Sequence, residues 1–200
     1  MQGRSGVNIN TPDRLILDAG EAFINIDLEA LETTGVETAL TAGQSVGATR
    51  GGSTFSPQRQ LREMDVDGLP GPTMGMIRRQ RVAPVLTLNL LEMTVDNLSK
   101  FIAGLVSEST EATGDPMTKL TGGPITTAAH LSNVALIATY SGSDLPVIIV
   151  VKNCIVMDPP DLAMQDEDEA VLSVPFMGCF DPADYTAEPW AIYHPEALGV

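Results

Sequence analysis

The chain has 200 residues, enough for one domain (1–200) with a substantial core, and is 44% hydrophobic but only 4% aromatic. Its formal charge is −15, and residues 101–200 carry 14 acids against two bases, Lys119 and Lys152. A nucleic-acid grip needs a basic stripe, a disulfide scaffold needs more than the two cysteines present, and a membrane helix needs roughly 20 apolar residues where the longest run here is Val147 to Val151, so none of the three is expected.

Taken in order, residues 1–13 are polar and glycine-bearing and read as an N-terminal arm, without the apolar region of a signal peptide. Leu15 to Ile26 is apolar on both sides of an Asp18–Glu21 break, which predicts a first hairpin with Ala19-Gly20 near its tip. Residues 27–57 follow as one long loop, rich in Thr, Gly, Ala and Ser, with a short helical turn around Leu28 to Glu32. A structureless stretch of this length inside a compact domain points to work outside it, a contact with another copy or a partner; the alternative is a disordered insertion.

A hairpin comes next. Gln58–Asp67 and Met76–Met93 flank the turn Gly68-Leu69-Pro70-Gly71-Pro72-Thr73-Met74-Gly75. With a period of two, Glu63, Asp65 and Asp67 share one face, and symmetric folding about Gly71-Pro72 sets Asp65 opposite Arg78. Cross-strand ion pairs on a solvated face are the plain reading of that pattern.

Residues 94–105 predict a helix, with Thr94 as N-cap, Asp96 in the first turn, and Val95, Leu98, Phe101, Ile102 and Leu105 as a stripe that belongs to the core. Residues 106–129 are Ser/Thr/Gly-rich and read as a second long excursion. From Leu131 the strand pattern returns: Val134, Leu136, Ala138 and Tyr140 share a face, and Ser141–Asp144 is a turn. Leu145–Met157 is apolar on both faces apart from Lys152 and Asn153, which predicts a central strand covered on both sides. Ala170–Phe180 alternates with Leu172, Val174 and Phe176 inward, and Pro175 suggests an edge or a bulge. Residues 181–200 are proline-rich and read as an extended C-terminal arm. Cys154 and Cys179 lie in apolar runs and read as buried thiols.

No motif assembles into catalytic or cofactor chemistry. Glu63, Asp65, Asp67 and Gly68 imitate half a calcium loop, but Met74 stands where the bidentate Glu belongs. The Gly47–Gly52 run lacks the Lys-Ser/Thr of a phosphate loop. His130 and His194 have no ligand spacing, Ser141 and Ser143 lack a nucleophile elbow, and the run Asp166, Glu167, Asp168, Glu169 reads as a solvated, self-repelling stretch. The expectation is a protein that is not an enzyme and carries no cofactor and no metal.

The run Gly47-Ala48-Thr49-Arg50-Gly51-Gly52, then Phe55, Arg62-Glu63 and Asp67-Gly68, with the close Glu188-Pro189-Trp190-Ala191-Ile192-Tyr193-His194-Pro195, resembles the major tail tube proteins of long-tailed, siphovirus-type bacteriophages. The resemblance covers about Leu15 to Pro195. It implies a mainly β fold, a β-sandwich or partial barrel with one flanking α-helix, a long inter-ring loop and extended terminal arms. It implies hexameric rings stacked helically into a virion tail tube, assembled in the host cytoplasm around a tape-measure protein. A tail terminator and baseplate or tip proteins would close the ends, viral DNA would pass without tight binding, and no membrane is involved. Val46, Thr49, Arg50 and Phe55 are then inter-ring candidates; Glu63, Asp65, Asp67, Asp166, Glu167, Asp168 and Glu169 are candidates to line a negative channel for genome ejection; Pro189, Trp190 and Tyr193 belong to the C-terminal arm. The chain departs from its relatives' pattern in having Gln58 and Gln60 where acids are frequent, and Arg78, Arg79 and Arg81 in the hairpin.

Ring size can be bounded. With about four lining strands per copy, spaced about 4.8 Å and tilted about 40°, six copies give a wall about 48 Å across and roughly 38 Å clear of side chains. Three copies would leave roughly 14 Å, too narrow for a duplex of about 20 Å. The alternative of a different class is a monomeric β-sandwich binding or adhesion module, which needs an exposed aromatic platform that one Trp and three Tyr scarcely supply.

Overall fold

A computed structural model describes residues 8–9, 11–68, 70–110, 117–158, 160 and 169–195. The fold is mainly β, with three α-helices among the described residues. The main sheet runs in the order β2 (Gln44–Ser45), β1 (Ile16–Ile24), β7 (Leu131–Tyr140), β8 (Val147–Val156), β9 (Leu172–Met177), β4 (Ile77–Leu90), β3 (Thr54–Glu63), with β10 (Trp190–Tyr193) also on β8. β5 (Leu105–Thr110) and β6 (Met117–Gly122) pair with each other in a separate ribbon, so the excursion expected over 106–129 is in part a hairpin.

β8 is the central strand its apolar sequence predicts. β7 pairs along one side, and β10 and then β9 along the other. The sheet bends there, so that Ala22, Ile24, Val134 and Leu136 meet Leu86, Leu88, Leu90, Leu172, Val174 and Phe176 in one core, unclosed like a partial barrel. Leu172, Val174 and Phe176 point inward as their alternation requires. Pro175 sits within an interior strand rather than an edge. The pairing with β8 reaches only Phe176 and Met177, so the missing N–H of Pro175 breaks no ladder on that side.

Three expectations are corrected. Leu15–Ile26 is one strand and not a hairpin. Asp18 (φ 67°) and Gly20 (φ 77°) form a bulge at which the register with β7 slips between Leu17 and Glu21, so the break absorbs residues without reversing the chain. Residues 27–57 are not a loop. They form α1 (Leu28–Thr33) and α2 (Val36–Ala42), then β2, and are laced down to β3. Asp27 caps α1 by accepting from the Ala30 N–H at 3.0 Å, and Leu28, Leu31, Val36 and Leu40 cover the outer side of Ala135, Ile148 and Val150. Among the described residues there are thus three α-helices, not one flanking helix. The third correction is the tail: residues 190–193 are a sheet strand, not an extended arm. Residues 1–7 of the expected N-terminal arm and 196–200 of the tail lie outside the described residues, while Pro12–Arg14 make a 3₁₀ turn.

The predicted 94–105 helix is shorter, α3 (Val95–Phe101). Thr94 Oγ1 caps it, accepting from Asn97 N at 3.1 Å, and Gly104 (φ 77°) turns the chain into β5. Val95 is exposed, so the stripe is carried by Phe101, which meets Phe176 edge-on at 5.7 Å.

Two buried amides fasten the 27–57 segment. Asn133 in β7 accepts from Ile26 N and donates to Ile26 O, both at 2.9 Å, where the chain leaves β1 for α1. Asn97 donates to Val46 O at 3.1 Å and to Glu92 O at 3.2 Å. Asn133→Ala strands both polar atoms of Ile26 in the interior. It is expected to lower the unfolding free energy by about 2–3 kcal/mol in urea titration, and an unchanged midpoint would mean that the segment is not fastened there.

Candidate functional site

The part of the molecule least explained by its own fold is the ribbon where β3 and β4 outrun the core. Thr54–Ser56 pair with Val85–Thr87 over buried Leu86, but from Gln58 to Glu63 and back from Ile77 to Arg81 every residue is exposed. Six residues at about 3.4 Å each project the ribbon about 20 Å. Its tip closes with Met64 N donating to Met76 O at 3.0 Å. Leu61, Met64, Val66, Met74 and Ile77 are all exposed there, Met74 at 98%.

The ribbon's register differs from the symmetric fold expected. A bulge lies between Gln60 and Leu61, and beyond it Leu61 faces Arg79, Arg62 faces Arg78, and Glu63 faces Ile77. Asp65 therefore does not oppose Arg78. One face carries Gln58, Gln60, Arg62, Arg78 and Arg81, and the other carries Leu61, Glu63, Ile77 and Arg79. Arg79 is tied back to Glu188 by an ion pair. A shallow hollow of 570 Å³ lies at the ribbon's root, lined by Gln58, Gln60, Arg81, Met157, Asp158 and Met177 among others.

A second feature is the pair of sheet margins. Among the described residues, β3 has a neighbour only in β4. At the other end, β2 covers β1 at Phe23 and Ile24 and Val46 N donates to Ala22 O at 3.0 Å, so among the described residues Ile16–Glu21 has no strand on that side, next to exposed Leu15, Ile16 and Leu17.

The sequence-predicted site residues separate into groups. Val46, 1% exposed, is core. Phe55 packs on Trp190 at 5.6 Å and against the main core. Val46 is thus an interior contact of one copy and not the inter-ring surface expected of it, whereas Phe55 is only half-buried; the segment that carries both is pinned to the end of β4. Thr49 bridges Leu90, Arg50 N donates to Asn89 O, and Asn89 Nδ2 donates to Gly52 O. Glu92 Oε1 accepts from Ala48 N at 2.9 Å and its carboxylate fills the space a Cβ on Gly47 (φ 89°) would need. The Arg50 guanidinium meets Glu169 at 2.6 Å.

Of the acidic candidates, Glu63 ends β3 and Asp65 and Asp67 stand on the exposed tip. Glu169 pairs with Arg50, and Asp166, Glu167 and Asp168 lie outside the described residues. Ser141 and Ser143 serve turns, accepting from Leu15 N and Leu145 N, and His194 stacks edge-on against Tyr140 at 4.6 Å. Among the described residues no three His, Cys, Asp or Glu gather as a metal site, and no helix is long and apolar enough to cross a membrane. Burial pushes the Cys154 thiol up to about 12. Pro189 O accepts from Lys152 N at 2.8 Å, which starts the pairing of Trp190–Tyr193 along β8.

No protein-family model matches the chain, and no curated protein matches it significantly.

Tyr193 closes this end of the molecule over α1: its hydroxyl donates to Glu32 Oε1 at 2.8 Å. Burial, then the Glu32 carboxylate, raises its pKa from 10 to about 12. The folded state thus holds this proton more tightly than the unfolded chain. The contribution is complete below pH 10 and is lost as pH rises through about 12. Ultraviolet titration of phenolate should show one tyrosine ionising near pH 12, absent in Tyr193→Phe; identical curves for the two proteins would contradict the contact.

Proposed function

We propose that the chain is a structural subunit that completes itself beside its own copies, in rings near six that stack into a hollow tail tube. The observation that carries this reading is the pair of open margins at opposite ends of one bent sheet. β3 of one copy laid against the uncovered half of β1 in the next is a head-to-tail contact, and such contacts close into rings when the rotation fits. The same pairing removes the aggregation hazard of two bare edges. A charge of −15 keeps phosphate from adhering to the wall, so a duplex would slide rather than bind. The resemblance to siphovirus-type tail tube proteins points the same way, and with it come the tape-measure, terminator and tip partners and a place in the virion tail.

The correction of residues 27–57 changes the arrangement proposed. That segment is folded over its own sheet, so stacking contacts fall to parts that buried packing leaves free. The same fact favours a second reading, a monomeric β-sandwich binding module, and a lone folded copy fits that reading more directly. Tyr185, 70% exposed in the turn before β10, is the aromatic such a module would offer.

Electron microscopy of the concentrated, purified protein separates the two. Hollow filaments with a regular axial repeat are expected. A monodisperse monomer at every concentration, binding sugars in a way that Tyr185→Ala abolishes, would overturn the tube reading in favour of the module.

A further inference from the structure

Charge is distributed oddly along this chain. Residues 58–81 hold five of the 11 basic side chains and three acids, so this segment is +2 while the remainder is −17. Within it, Arg62 stands directly opposite Arg78, and Arg81 lies next along the same face. Like charges facing each other across a strand pair destabilise it. Among the described residues none of these three arginines has a carboxylate partner; the ribbon's one ion pair, Arg79 to Glu188, leaves from the opposite face.

We infer that the Arg62–Arg78–Arg81 face of the ribbon docks on the carboxylate-bearing body of a second copy of this chain. Composition argues for a protein partner rather than a nucleic acid. The ribbon and tip carry arginines and Met64, Met74 and Met76, with no lysine and no aromatic residue between 58 and 81. Arginine and methionine enriched with lysine depleted is the signature of a protein interface, whereas single-stranded nucleic acid is held by aromatic stacking. Asp65 and Asp67 on the exposed tip would repel a polyanion.

A copy of this chain meets the requirement. Residues 15–49 contain six acids and no base, and Glu29, Glu32 and Glu37 on α1 and α2 are exposed. Guanidinium–carboxylate contacts between copies would steer association and give it direction, at the price of sensitivity to salt. The inference rests on the assembly reading in needing a second copy, but makes a separate claim about what drives the contact.

The test is light scattering and sedimentation of the full chain between low and high sodium chloride, comparing wild type with Arg62→Glu/Arg78→Glu, Arg62→Gln/Arg78→Gln and Arg62→Lys/Arg78→Lys. All four should melt alike as monomers, because these side chains are exposed. Wild type should associate less readily as salt rises. The Glu variant should need about tenfold or more protein to associate at low salt and lose the salt dependence, the Gln variant should fall between, and the Lys variant should stay near wild type. Association that is unchanged in the Glu variant overturns this inference while leaving self-assembly standing. No association by wild type at any concentration overturns the assembly reading and this one with it. A fluorescent duplex DNA is the control: tight binding that the Glu variant abolishes, with copy-to-copy association intact, would assign the face to nucleic acid instead.

Discussion

A strand at the margin of a sheet keeps half of its backbone donors and acceptors turned outward, and those groups must be met by water or by another chain. In this protein that constraint governs more than an edge. The sheet is wound around β8, which has neighbours on both sides and is the best buried strand, and order falls away from it in both directions. At one end β1 is half covered by a two-residue strand; at the other, the outer halves of β3 and β4 run out beyond the core. The stable centre exists without help, and the margins do not share its reasons for being flat, paired and extended.

An isolated two-stranded ribbon is at best marginally stable in water. Here its root is held by Phe55 on Trp190, and Arg79 farther out is tied to Glu188; together they fix the direction in which it projects without burying its outer half. The C-terminal strand thereby has two roles: it extends the sheet on β8 and buttresses the base of the ribbon. The glycine run before β3 works in the same sense. Gly47 lets the Glu92 carboxylate reach the Ala48 amide, and the chain enters β3 already tethered to the end of β4. A projecting element on a rigid base loses little entropy when it docks.

Much of the centre could be read from residue order. The alternation of Leu172, Val174 and Phe176 and the two-sided apolar run of β8 each have one reading, since a period of two admits few others. The errors share a cause, which is that local chemistry serves more than one tertiary outcome. Asp18, Ala19 and Gly20 suit a hairpin tip and equally a bulge, and only the partner strand decides. α1 and α2 are only six and seven residues long, so Leu28, Leu31, Val36 and Leu40 never build a period strong enough to stand out among Thr, Gly and Ala; their helicity comes from packing on Ile148 and Val150. Ile102 and Leu105 prolong an apolar stripe that the left-handed Gly104 cuts short. The proline-rich tail looked like an arm because Pro189 cannot donate, yet its carbonyl starts the β10 pairing. The ribbon was legible as a hairpin with exposed acids. Its facing arginines were not, because one bulged residue near Gln80 shifts the register, and with it which charges face each other.

The central claim, that the two margins are finished by neighbouring copies, is tested most directly by amide hydrogen exchange followed from dilute to concentrated protein. The account predicts that β8 is protected throughout, while the outward-facing amides of Thr54–Glu63 and of Ile16–Glu21, those not bonded to β4 or β7, exchange freely in dilute solution and slow together as copies associate. Margins that exchange identically at every concentration, in particles that do associate, would contradict it.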